Sequence, residues 1–152
     1  MTAALDTHLS DLLGRFAARR DLGALGADAE GRYRLELDGW LEVRIFQSGG
    51  DLFLEGSPGR LPAEDPREPD RIADLLREQV RDLEDQEEVL SLDPEGEDLI
   101  LFRRLQASGL RLDDFERALE SFANRLERWT RRLAADRTVP SPVAAPMHII
   151  FP

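Results

Sequence analysis

Residues able to do chemistry are few in this chain, and their spacing argues against catalysis. Only two histidines occur, His8 and His148. His8 sits beside Leu9 in an apolar-periodic stretch and His148 in a proline-rich one. Neither has a metal-ligand or base partner at useful spacing, so both read as satisfied or solvated imidazoles. Glycines at 49–50 and 56–59 suggest a phosphate cradle, but no Gly-Lys-Ser follows and the chain has no lysine, which excludes a P-loop. Carboxylates crowd EDQEE (84–88) and DPEGED (93–98). The latter lacks the alternating oxygen ligands and the closing Glu of a calcium loop, so both read as solvated turns. There is no Gly-x-Ser-x-Gly elbow and no cysteine, hence no thiol nucleophile, disulfide or thiolate metal site. The expectation is a protein that is not an enzyme and needs neither cofactor nor metal.

What remains is binding surface. Residues 33 to 46, YRLELDGWLEVRIF, alternate Tyr33, Leu35, Leu41, Val43 and Ile45 with charged residues, so one face of a hairpin is buried. The other face should be wet, yet it carries Trp40 and Phe46, and the next strand adds Phe53. Monomers seldom leave three neighbouring aromatics open. Either a helix or second subunit covers them, or they receive another protein's chain.

Charge narrows the partner. With a net charge of −11 over 152 residues, the chain is repelled by nucleic acid and by anionic membranes. No apolar run approaches the roughly 20 residues a membrane helix needs. The start, MTAALDTHLSDLL, lacks the basic-then-apolar order of a secretory signal. Absence of cysteine asks for no oxidising compartment, and the expected location is the cytoplasm.

The elements that would position these side chains follow from periodicity. Leu5, Leu9, Leu12, Leu13, Phe16 and Ala17 recur at helical spacing and predict a helix over 5–21. A three-residue loop, Leu37-Asp38-Gly39, would set Leu35 opposite Leu41 and Arg34 opposite Glu42. Ser48-Gly49-Gly50 turns into a third strand over 52–55. GSPGRLPAEDPREP (56–69) reads as a connection. A second helix starts near Asp70 and stops around Leu83, with Ile72, Leu75, Leu76, Gln79, Val80 and Leu83 on one face. Strands over 88–92 and 98–104 follow. A third helix from about Asp113 presents Leu112, Phe115, Leu119, Phe122, Leu126, Trp129 and Leu133. The order is α-βββ-α-ββ-α: an α+β fold with an antiparallel, twisted sheet of about five strands and three helices. The domain is expected over 1–135, with 136–152 a flexible, proline-rich C-terminal tail ending in an apolar HIIF tip, which could fold back onto the domain's own aromatics.

Several local patterns resemble the class I chaperones of type III secretion systems, the family typified by the Tir chaperone. Leu12-Leu13-x-x-Phe16-Ala17 followed by Leu22-Gly23-x-Leu25 is similar to that family's opening helix and its exit, with Leu-Gly in place of Gly-Leu. Asp38-Gly39 and Leu52-x-Leu54-x-Gly56 resemble its first three strands. Gly59-x-Leu61-Pro62 and Leu75-Leu76 resemble the approach to its second helix and that helix itself, and Phe122 with Trp129 its last helix. The resemblance spans about residues 9 to 134, with the segment between second helix and fourth strand shortened. It implies a homodimeric bacterial cytoplasmic chaperone that consumes no nucleotide. Its implied partner is a secreted effector, whose N-terminal chaperone-binding segment it holds extended and secretion-competent; the secretion ATPase is a further implied partner. The first helix and first three strands would supply the groove, with Leu9, Leu12, Phe16, Trp40, Phe46 and Phe53 as effector contacts. Ile72, Leu75, Leu76, Val89 and Leu90 would form the subunit contact. The alternative within the same fold is a regulatory dimer that sequesters a transcriptional regulator or antiactivator.

Overall fold

The computed structural model describes residues 5–60, 68–82, 87–93 and 98–138. The stretches 61–67, 83–86, 94–97 and 139–152 lie outside the described residues. With them go Leu61-Pro62, most of the acidic cluster, the centre of DPEGED and the HIIF segment.

Helix α1 (Thr7–Arg19) forms because Leu9, Leu12, Leu13, Phe16 and Ala17 share one buried face, each large side chain gaining about 1.5–3 kcal/mol from burial. Its start is fixed by Asp6, whose Oδ1 accepts from the Leu9 N–H at 2.8 Å. Gln47 in turn accepts from the Asp6 N–H at 2.8 Å and donates to Asp6 Oδ2 at 3.1 Å, tying the helix to the sheet. The Leu9 N–H, more than any other group, holds the Asp6 carboxyl below the usual carboxylate range.

Strands β1 (Tyr33–Leu37) and β2 (Leu41–Ser48) pair antiparallel with Leu35 opposite Val43 and Leu37 opposite Leu41. The three-residue loop is therefore Asp38-Gly39-Trp40, not Leu37-Asp38-Gly39, and the register differs by two residues from the charge-matched one. A shift of two leaves every side chain on its expected face. Asp38 and Gly39 both take positive φ, 53° and 74°, where Asp and Gly are the tolerated residues. Arg34 now faces Arg44 and Glu36 faces Glu42; the Arg34–Glu42 contact survives on the diagonal at 3.6 Å.

Strand β3 (Asp51–Arg60) has 10 residues, more than twice the expected length. GSPGR continues the strand instead of leaving it, because the ladder to β5 (Asp98–Gln106) slips between Gly56 and Gly59. Pro58 sits inside that irregularity, where no ladder N–H is required of it. Gly56 is needed for contact: a Cβ there would lie 2.5 Å from Leu126 Cδ2 and 3.3 Å from the Glu42 carbonyl. Strand β4 (Glu88–Leu92) pairs with β5, giving the all-antiparallel order β1-β2-β3-β5-β4.

Helix α2 (Glu68–Asp82) begins two residues before Asp70 and takes Pro69 into its first turn. Helix α3 (Leu112–Thr138) runs three residues past the expected domain boundary at 135. Its whole stripe, Leu112 to Leu133, is buried, with Phe115 edge-on to Phe16 at 5.3 Å.

The buried strand residues (Leu35, Val43, Ile45, Leu52, Leu54, Leu90, Leu101, Leu105) all lie on one face of the sheet, in one cluster with α1, α3 and Leu75 of α2. Three polar side chains share that covered face, Gln47, Glu88 and Arg103, and each is partnered. Glu88, expected in a solvated bend, is instead 6% exposed, accepting from Arg103 Nη1 at 3.0 Å and from Ser121 Oγ at 3.3 Å. Among the described residues no helix packs on the opposite face.

Candidate functional site

That opposite face is built by the alternate residues of each strand. Phe46 and Phe53 are directly paired across β2 and β3, and their rings stack at 5.4 Å with planes 10° apart. The Arg32 guanidinium lies 5.0 Å from the Phe46 ring centre. Glu55 bridges Arg32 at 3.7 Å and Arg44 at 3.4 Å, and Arg104 pairs with Asp51 at 2.6 Å. Phe102, opposite both Glu55 and Val89, carries the apolar strip toward β4. The two phenylalanines are half-buried, a state reached by stacking on each other among ion pairs that are themselves partly buried at Glu55, Arg32, Arg44 and Asp51.

Trp40 belongs to a different place. It occupies the tip of the first hairpin, 50% exposed, six residues and about 20 Å of strand from Phe46. It overhangs a cavity of about 150 Å³ lined also by Ser57, Leu126 and Thr130. The three aromatics therefore do not form one patch.

Leu9, Leu12 and Phe16 are 0–3% exposed. Their helix does face the sheet, but the sheet is its own, so they build the platform and present no surface from this chain. The accessible flank of α1 is a neighbouring one. Leu13, Gly14, Ala17 and Ala18 line a cavity of about 480 Å³ with Leu25 and Tyr33, where the chain returning from α1 passes the first residue of β1. The signal for it was present as small residues at Ser10, Gly14, Ala17 and Ala18, spaced along one side of a helix otherwise rich in leucine. The edge of β1 beside this cavity is open. Ala27 bridges Tyr33 and the Asp28 N–H donates to the Arg32 carbonyl at 2.8 Å; from Arg34 to Leu37 the outer side has no backbone partner among the described residues.

The residues expected at a subunit contact divide in two. Leu75 and Leu90 are buried within the chain and Ile72 packs against its core. Leu76 and Val89 are exposed, and the structure adds Val80 at 65% and Leu92 to them. Leu76 and Val80 lie one turn apart on α2, while Val89 and Leu92 lie on the sheet's other edge strand.

Among the described residues no cluster of His, Asp and Glu could hold a metal ion, and no helix is long and apolar enough to cross a membrane. The geometry offers apolar concavities, an open strand edge and a bare sheet face.

Similar architectures are known. The crystal structure of the ExsC–ExsE complex contains a chain 24% identical to this one, with a TM-score of 0.66, covering 85% of this chain and 96% of that one. The HopA1–SchA chaperone–effector complex gives 17% identity and a TM-score of 0.66 over 84% of this chain and 98% of that chain. The Yersinia pestis type III secretion chaperone SycH, in complex with a fragment of YscM2, gives 17% and 0.57 over 79% and 97%. At these identities the likeness shows a shared fold. No curated protein matches the chain by sequence. The Tir chaperone protein (CesT) family matches residues 11–130. Since that is most of its length, and since the three-helix, five-strand order agrees, the chain belongs to the Tir chaperone protein (CesT) family.

Proposed function

We propose that this chain is a type III secretion chaperone which, as a homodimer in the bacterial cytoplasm, holds the N-terminal segment of a secreted effector in extended form. The observation that carries the reading is the one-sided layering of the fold. Helices α1 and α3, with Leu75 of α2, cover one face of the sheet, and among the described residues no helix covers the other face and no strand pairs with the outer side of Arg34–Leu37. An unfolded client exposes apolar side chains and unpaired backbone together. Strand addition along Arg34–Leu37 satisfies its backbone, and the cavity beside Tyr33 and Leu25 takes an apolar side chain. Phe46, Phe53 and Trp40 are the further apolar contacts. Leu9, Leu12 and Phe16 act only by holding α1 in place. Leu76, Val80, Val89 and Leu92 form the subunit contact, with Ile72, Leu75 and Leu90 supporting it from the core. The neighbours captured with a bound effector or other protein support this class of partner.

The chain's own residues need no catalytic step for this work, and delivery to a secretion ATPase would follow release of the client. The test is purification from the native host, followed by mass determination and identification of what copurifies. Two copies of this chain with the N-terminal region of one secreted protein is the expected result, and Phe46→Ala with Phe53→Ala should reduce its recovery at least tenfold. A transcription regulator in place of the secreted protein would overturn the effector reading.

A further inference from the structure

Gln79 is the polar exception on the apolar face of α2, between Leu76 and Val80. The structure gives it a task. Its Oε1 accepts from the backbone N–H of Leu90 at 3.2 Å. Leu90 is the middle residue of β4, and β4 is an edge strand. Its N–H is therefore spent on a helix side chain at the very position where an added strand would need a donor. The edge is otherwise attractive to another strand: it is short, apolar at Val89 and Leu92, and uncovered on one face. The opposite edge is treated differently. On β1 only the first turn is closed, by Ala27 and by Asp28, whose Oδ1 accepts from the N–H groups of Glu30 and Arg32 at 2.9 Å. Beyond Tyr33 no side chain caps the backbone among the described hydrogen bonds.

We propose that Gln79 is an edge plug: it closes β4 to strand addition, so that a second subunit meets β4 through the side chains of Val89 and Leu92 without continuing the sheet, and an extended partner is accepted only at β1. The inference rests on the proposed chaperone reading for the identity of that partner, and on this chain alone for the plug. It makes Gln79 a positioning residue, deciding where a client lies without touching it. It also explains why a polar residue occupies an otherwise greasy helical face.

The test compares wild type with Gln79→Leu, which keeps volume and helix propensity but removes the acceptor, and with Gln79→Glu, which restores one. Amide hydrogen exchange at Leu90 should accelerate about tenfold in Gln79→Leu, the usual effect of freeing one backbone donor. Exchange at Ile45, deep in β2, should stay unchanged and so report an intact fold. Sedimentation should show concentration-dependent species larger than those of wild type, as opened β4 edges pair. Gln79→Glu should behave as wild type in both measurements. Unchanged Leu90 exchange in Gln79→Leu would overturn the proposal, and so would faster exchange without added association. If Gln79→Leu fails to fold, Gln79→Ala serves as the second acceptor-free variant with the same expectations. Neither readout needs a client, so the outcome is separate from that of the copurification experiment.

Discussion

Replacing Arg103 by methionine should destabilise the fold by about 3–5 kcal/mol, whereas Glu88→Gln should cost only about 1–2 kcal/mol. The asymmetry comes from what each change leaves behind. Arg103 lies on the covered face of β5 with its side chain 14% exposed; it donates to Glu88 and reaches Glu87 at the rim. The Glu88 side chain is 4% exposed, and among the described residues its partner besides Arg103 is the Ser121 hydroxyl at 3.3 Å. Removing the arginine leaves the buried Glu88 carboxylate without its charge partner, at a cavity of about 390 Å³ lined also by Ser121, Asn124, Arg125 and Arg128. Removing the carboxylate's charge leaves an arginine that keeps Glu87, keeps an amide oxygen to donate to, and can lean toward water. Taking both out, Glu88→Met with Arg103→Met, exchanges a buried pair for apolar volume. That variant should return to within about 1–2 kcal/mol of wild type. Urea unfolding of the four proteins at neutral pH, with the slope checked for constancy, closes the double-mutant cycle. An Arg103→Met cost below about 1 kcal/mol, or a double variant less stable than Arg103→Met alone, would refute the argument that the pair is buried and mutually dependent.

Gly56→Ala should cost about 1–3 kcal/mol, since the new methyl group meets Leu126, itself 1% exposed, and the Glu42 carbonyl. Gly50→Ala, with nothing within 4 Å of its Cβ, should stay within about 0.5 kcal/mol in the same thermal melts. Backbone N–H groups hold Asp6 and Asp28 below the ordinary carboxylate pKa, led by Leu9 for the first and Arg32 for the second; Arg19 does the same to Asp113. Their contribution is therefore complete above the unfolded value of about 3.9 and is lost as pH falls through the lower folded values. Unfolding measured between about pH 6 and about pH 2 should show that loss, and Asp6→Asn should flatten it. Leu76→Glu with Val80→Glu should halve the sedimenting mass if these side chains meet a second copy, and an unchanged mass would remove them from the contact.

Much of the fold was legible because alternation and helical periodicity report which side of an element is buried. Strand faces, helix stripes and the α-βββ-α-ββ-α order follow from that. The hairpin register was misplaced by two because in-line charge pairing was given weight that surface ion pairs do not have; the burial pattern has period two and could not expose the error. Strand β3 was cut short because Gly and Pro ordinarily break strands. What keeps GSPGR in the sheet is its pairing with β5 across the slip between Gly56 and Gly59, and what asks for glycine at 56 is Leu126, 70 residues away in sequence. Glu88 looked solvated in its acidic run for a similar reason: its partner, Arg103, becomes visible only once β4 and β5 are paired.

The binding surfaces were harder to read than the fold. Periodicity says that Leu9, Leu12 and Phe16 are covered, but not whether their own sheet or a client covers them. Likewise, phase along a strand places Trp40 and Phe46 on the same side without saying that a hairpin tip separates them. The physical distinction is between side chains with no alternative partner and side chains that have one on loan. Phe46 and Phe53 stack on each other beneath Arg32, among ion pairs in which Glu55, Arg32, Arg44 and Asp51 are partly buried and Arg104 is open to water. Both rings keep part of their surface open to water, so a partner that covers them gains the apolar area still exposed. A helix in its place would have given a more stable domain with nothing to offer an extended chain. The face that no described helix covers and the unequal treatment of the two sheet edges are thus the arrangement that the proposed strand addition at β1 requires.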